Sequence, residues 1–334
     1  MSLILDRSHV LEVYVEAHER KRVIPSFNAE NLTTIEAILE AVYKHGQRIG
    51  INNLPIIIGI TNSYASRPQS VFYTNTKKWD IGLMLFLKNL EVLTSQDSPY
   101  RNIRVMIHLD HIQWDWDRQL LNWDMGQFSS IMYDASTLPL EKNIVSTAEF
   151  VELHKKQILI EGACDEIEKV SDNGNGHLTT PDQAEKYFNE TGIDIMVANL
   201  GTEHRASAST LQYEGQLARA ISQRIGPRLC LHGASSIAEE QIAHFFEDGI
   251  CKVNIWTILE RDSTPVLFQK MVENAAKIVG ADKAKEMLEK GLLGDKADVI
   301  SPKSIKFYTA SFRRELIFLQ MQKIIQKYLD LLYL

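Results

Sequence analysis

Eight apolar runs in the chain close on a polar or ionisable residue: Asn28, Thr61, Asp110 with His111, Asp134, Glu161, His204, His232 and Asn254. The most concentrated is Val105-Met106-Ile107-His108-Leu109-Asp110-His111, an apolar strand ending in three ionisable side chains. Successive strand residues face opposite sides, so Asp110 and His111 share a side only if the strand ends there and turns. Three histidines and an acid from separate strand ends, His111, His204, His232 and Glu161, match the ligand set of a catalytic metal. Neutral imidazoles suit zinc and related divalent ions, and three such ligands leave a position open for substrate. Singly, each histidine is an ordinary surface or core residue; their equivalent places in the chain give them weight. His9, His18, His45, His154 and His244 fall in or beside predicted helices and read as structural or exposed. His108 faces away from His111 in a simple strand and reads as a partner of the ligands.

A second chemical signal follows the seventh run. Gly233-Ala234-Ser235-Ser236 leads into a helix starting near Ala238. Small residues admit a ligand close to the backbone, and a helix N-terminus favours an anion. Small residues also make ordinary tight turns, but this is where many barrels bind phosphate.

The elements that must position these residues alternate. The pattern predicts a leading helix over 6–21 and strands over 23–28, 54–61, 105–111, 129–134, 157–161, 193–199, 229–232 and 250–254. Between them it predicts a helix capped by Asn31, helices over 79–93 and 140–155, and one opened by Thr180-Pro181. Residues 62–78 read as a polar, aromatic loop, and 162–176 as a second loop rich in Gly, Asn and Asp. Alternation predicts a parallel sheet, and eight units predict an α/β (β/α)8 TIM barrel with all strand ends at one mouth. The barrel is expected to occupy 1–300. A C-terminal amphipathic helix over 301–334 packs on it or on a sister subunit.

The 334 residues suit one such barrel, with 45% hydrophobic and 24% charged residues, an average soluble composition. The net charge of −7 argues against a general nucleic-acid surface and leaves small phosphorylated molecules open. Cys164, Cys230 and Cys251 do not make a disulfide framework, which fits a reducing cytoplasm. Neither a basic, apolar leader nor a bilayer-length apolar segment is present, so no membrane partner is expected.

The motifs together resemble a known family. Ile24-Pro25-Ser26-Phe27-Asn28, His108-Leu109-Asp110-His111, Met132-Tyr133-Asp134-Ala135-Ser136, Gly201-Thr202-Glu203-His204, Leu231-His232-Gly233-Ala234-Ser235 and Lys252-Val253-Asn254-Ile255-Trp256-Thr257 are similar, in order, to motifs of the class II, metal-dependent fructose- and tagatose-bisphosphate aldolases. The resemblance implies Zn2+ or another divalent metal on His111, His204 and His232. It implies that Asp110 exchanges a proton with the substrate carbonyl or hydroxyl, and that Asn254 stands beside a metal-stabilised enediolate. Asn28 and Thr61 match positions near the ketose end; Gly233, Ser235 and Thr257 match its phosphate cradle. A homodimer or homotetramer acting on a small sugar-phosphate-like molecule is expected.

Several departures stand out. Arg205 follows the second metal histidine where the family has glycine, and residues 206–209 supply no lysine. The acidic segment is reduced to Glu161-Gly162-Ala163-Cys164-Asp165, Glu166 and Glu168 are the nearest substitutes for a loop base, and Trp256 occupies an acidic position. Arg205 suits a phosphate or carboxylate and is expected to contact the substrate anion. These changes favour a phosphorylated or acidic ketose other than fructose 1,6-bisphosphate. An ordinary ketose-bisphosphate aldolase and a catalytically silent, metal-binding paralogue acting as a partner subunit are the alternatives.

Overall fold

The computed structural model describes residues 2–65, 67–166, 177–202 and 213–333. Within them, eight strands form a closed parallel barrel in sequential order: β1 (Ile24–Asn28), β2 (Pro55–Thr61), β3 (Arg104–Gln113), β4 (Ser130–Asp134), β5 (Leu159–Ala163), β6 (Ile195–Val197), β7 (Leu229–Leu231) and β8 (Ile250–Ile255). β1 closes the ring on β8 with Ser26 beside Asn254. The strands are buried on both faces, as expected when helices cover a parallel sheet.

The helices are α1 (Arg7–Glu19), α2 (Leu32–Ile49), α3 (Gln69–Phe72), α4 (Trp79–Leu93), α5 (Arg118–Leu121), α6 (Leu140–His154) and α7 (Pro181–Thr191). Then come α8 (Gly215–Ile225), α9 (Glu239–Ile242), α10 (Thr257–Glu273), α11 (Ala275–Val279), α12 (Ala281–Glu289), α13 (Ile305–Tyr308) and α14 (Ala310–Leu332). The caps follow the sequence. The Asn31 side chain accepts from Thr34 N at the head of α2, and Thr180 forms a reciprocal capping box with Gln183 at the head of α7.

α1 closes the amino-terminal end of the barrel. Its Val10, Val13 and Ala17 pack against Ile24, Ile57, Met106, Met132, Leu159 and Ile195 inside the ring. α14 lies on α2 and α10 of the same chain. There the buried His45 meets Asp330 at 3.2 Å and Gln326 Nε2 at 2.8 Å, and the Tyr333 hydroxyl donates to the Pro55 carbonyl. Among the described residues, no helix is long and apolar enough to cross a membrane.

Three expected boundaries shift with consequence. β3 runs two residues past His111, β5 continues to Ala163 so that Glu161 lies inside a strand, and the 62–78 segment contains α3.

Candidate active site

The strands carry their side chains in layers. On β3, Met106, His108 and Asp110 alternate onto the barrel interior, and on β8 Lys252 and Asn254 do the same. The extended strand would send His111 outward. Instead, the β3–β4 register shifts between Leu109 and Ile112, and His111 takes a left-handed backbone with φ +49°. This bulge, rather than the end of the strand, keeps both Asp110 and His111 at the mouth. A non-glycine residue there is strained, a cost found where a site needs a particular direction.

Asp110 is completely buried. Asn28 Nδ2 donates to its Oδ2 at 2.6 Å, Arg67 Nη2 to the same oxygen at 2.8 Å, and Asn254 Nδ2 to Oδ1 at 3.0 Å. Burial pushes the Asp110 pKa up, but the His111 and Arg67 charges outweigh it and hold the carboxyl well below its usual range. Gly59 makes room for this arrangement, because a Cβ there would fall 2.5 Å from Asn28 Oδ1.

His111 Nδ1 lies 2.8 Å from Asp134 Oδ2, and its ring stacks on Tyr64 with centroids 4.5 Å apart. Asp134 also accepts from Gln113 Nε2 at 2.9 Å and Ser136 Oγ at 2.6 Å. Burial raises the Asp134 pKa, and the His111 and Ser136 bonds overcome that, bringing it to about 2. The His232 ring meets the His111 ring edge-on at 4.9 Å. His232 Nε2 lies 3.2 Å from Glu161 Oε1 and 3.1 Å from Asn254 Nδ2. Nε2 thus meets one acceptor, the Glu161 carboxylate, and one donor, the Asn254 amide, and which of the two it bonds follows the tautomer of the ring. Burial lowers the His232 pKa to about 4, so the ring is neutral near pH 7. Each imidazole thus has a carboxylate behind it, Asp134 for His111 and Glu161 for His232, which is how metal-binding histidines are oriented.

Beneath the mouth, Lys252 Nζ donates to Glu161 Oε2 at 2.6 Å and to His108 Nε2 at 3.0 Å. His108 Nδ1 reaches Ser130 Oγ at 2.9 Å. His108 is therefore a partner of Lys252; at 3.8 Å from Asp110 Oδ1 it is too far to bond that carboxylate. Burial pushes the Lys252 pKa down, but the Cys230, Glu161 and Asp110 environment raises it on balance. Burial raises the Glu161 pKa, and Lys252 more than reverses it. Glu161, expected as a metal ligand, gives one oxygen to Lys252 and turns the other to His232; with Cys230 and His232 it also forms a buried group of three ligand atoms within 4.8 Å of one another.

The donor set fits a divalent cation. Asp110, His111 and His232 each offer one ligand atom, all buried and within 4.8 Å of one another. The expected third imidazole, His204, lies outside the described residues, as do Arg205 and Glu168.

Asn28, Asp110, His232, Gly233, Ser235, Asn254 and Thr257 line one narrow cavity together with Arg67 and Trp256. Thr61 does not line it. Its hydroxyl donates to the Arg67 carbonyl and its N–H to Gln69 Oε1 at 2.9 Å, so it fixes the loop after β2. The anticipated helix after β7 is only a 3-10 turn over Ala234–Ser236 followed by the four-residue α9, too short for a useful dipole. Any anion held there relies on the Gly233 turn, with φ +71°, and on hydroxyls. His111 opens on an adjoining cavity with Asp134, Tyr64 and Glu166.

Sequence reasoning missed two site residues. Lys252 carried a usable signal: a lone lysine two positions before Asn254 in an apolar strand must share its inward face. Arg67 carried none, because it lies in a polar loop.

This barrel, with its polar mouth, is of the class II aldolase type. The fructose-bisphosphate aldolase class II family profile matches residues 8–303, and the chain belongs to that family, which groups divalent-metal-dependent lyases that act on carbon–carbon bonds. The fold is similar to that of a fructose-bisphosphate aldolase from Campylobacter jejuni, at 19% identity and a TM-score of 0.75 over 99% of this chain and 96% of that one. It is also similar to the YdjI aldolase from Escherichia coli K12, at 19% identity and a TM-score of 0.65 over 96% of this chain and 95% of that one.

Proposed function

We propose that the chain is a zinc-dependent aldolase that makes or breaks a carbon–carbon bond in a phosphorylated or acidic ketose other than fructose 1,6-bisphosphate. The observation that carries this reading is the pair of carboxylate-backed imidazoles, His111 and His232, flanking the buried Asp110. With His204 they would hold the ion, which when bound supplies Lewis-acid polarisation of a carbonyl oxygen. Asp110, ionised and fixed by three N–H donors, receives the substrate hydroxyl proton in cleavage and returns it in synthesis. Asn254, bonded to Asp110, holds that carboxylate toward the cavity and presents its amide to the substrate. The Trp256 indole narrows the cavity and supports a substrate different from the family's typical one. A homodimer or homotetramer goes with this reading.

Metal analysis combined with a cleavage assay over a panel of ketose phosphates tests it. Asp110→Asn is expected to keep the metal and the fold while turnover falls by about 10²–10⁴-fold. Full activity in that variant would move the proton transfer elsewhere. Bound metal with no turnover on any ketose phosphate would favour the silent paralogue.

A further inference from the structure

An anionic substrate needs a cation, and residues 206–209 lack the family's lysine. Among the described residues, the cavity that joins Asp110 to Gly233, Ser235 and Thr257 is lined by one permanent cation, Arg67. Its position is built rather than incidental. The Thr61 hydroxyl donates to its carbonyl, Nη2 donates to Asp110, and the guanidinium lies over the Trp256 ring at 4.9 Å. The side chain is only 11% exposed. The indole supports the guanidinium through its π face on one side while Asp110 holds Nη2 on the other.

We propose that Arg67 is a specificity-determining residue that bridges Asp110 and the phosphate monoester of the substrate, with Trp256 as its platform. A planar guanidinium carries five N–H donors and can bond two oxyanions at once. Ser235, Thr257 and the Gly233 turn meet the phosphate from the opposite wall of the same cavity. The arrangement ties phosphate recognition to the carboxylate that moves the proton. It rests on the lyase reading for the meaning of Asp110, but the phosphate contact stands independently of turnover.

Calorimetric titration of the purified, metal-containing chain with inorganic phosphate, dihydroxyacetone phosphate and dihydroxyacetone tests this. Arg67→Met is expected to weaken both phosphates on the order of 10–100-fold and to weaken dihydroxyacetone, which lacks the phosphate, by a clearly smaller factor that reflects the loosened Asp110. Arg67→Lys keeps charge without the fork and is expected to lose less. Trp256→Leu is expected to lose severalfold, about what a cation–π contact that keeps part of its hydration contributes. Undiminished phosphate binding in Arg67→Met overturns the proposal. So does a parent chain that binds neither phosphate, or a variant that loses dihydroxyacetone as steeply as the two phosphates. Should Arg67→Met not fold, the Arg67→Lys loss decides by the same criteria. Arg67-dependent phosphate binding in a chain that cleaves no ketose phosphate would remove the lyase reading alone.

Discussion

The lower and upper halves of the barrel interior are built from the same strands, one two-residue step apart. β3 places Met106 below His108 and Asp110, β5 places Leu159 below Glu161, and β7 places Cys230 below His232. The lower half joins α1 in a wholly apolar cluster and gains stability with every methylene it hides. The upper half hides Lys252, Glu161, His108 and Asp110, none more than 1% exposed. Buried charges survive only when paired and hydrogen-bonded, and each of these is. The period of two lets one strand contribute to stability at one end and to chemistry at the other. The polar layer must also remain complete, because any single deletion leaves a charge behind.

The largest expected effect breaks that layer. Lys252→Met strands Glu161 in the interior and is expected to destabilise the fold by about 3–5 kcal/mol. Adding Glu161→Gln should return much of this, because the pair is then removed together; denaturant melts of the single and double variants measure the coupling. Equal stability of Lys252→Met and its parent would mean that the ion pair is not part of the folded protein. The apolar half should respond differently. Met106→Ala is expected to cost about 2–4 kcal/mol through lost burial and a cavity. Its metal content at a permissive temperature should match the parent. Metal lost from Met106→Ala would show that the halves are not separable.

The sequence and the structure agree where a periodic signal exists. Eight apolar runs closing on polar residues were enough for the closed barrel, and Asp110, Asn254, His232 and Asn28 all reach the mouth. What the period of a strand does not carry is geometry at single residues. The position of His111 depends on a bulge, and nothing in Asp110-His111-Ile112 announces a left-handed backbone. Glu161 stands two residues inside the end of its strand, so its side chain meets Lys252 below the mouth rather than opening at the rim. Thr61 has the type and place of a substrate contact yet spends its hydroxyl on the backbone of its own loop. Arg67 was hidden because loop residues carry no periodicity, and only the folded chain brings it to Asp110 and Trp256.

The smallest expected effect lies at the rim, where the rule of paired charge lapses. Glu260, in the first turn of α10, is mostly buried, and among the described residues its Oε1 meets no hydrogen-bond donor. Burial, with the Glu30 carboxylate nearby, pushes its pKa from 4.5 up to about 7. Asp110, hidden from water more completely, is surrounded by donors and moves the opposite way. A carboxyl raised in the folded state binds more protons folded than unfolded between those two values. Its contribution is therefore fully present below pH 4.5 and is lost as the pH rises through 7. Glu260→Gln resembles the protonated acid and should be as stable as the parent at pH 4.5. At pH 8 it should be more stable by about 1–2 kcal/mol, the full shift being discounted for the exposed part of the side chain. Urea melts of both proteins at the two pH values measure this directly. A stability difference that is the same at both would mean that Glu260 is paired in solution, and the contrast between the rim and the sealed interior would then disappear.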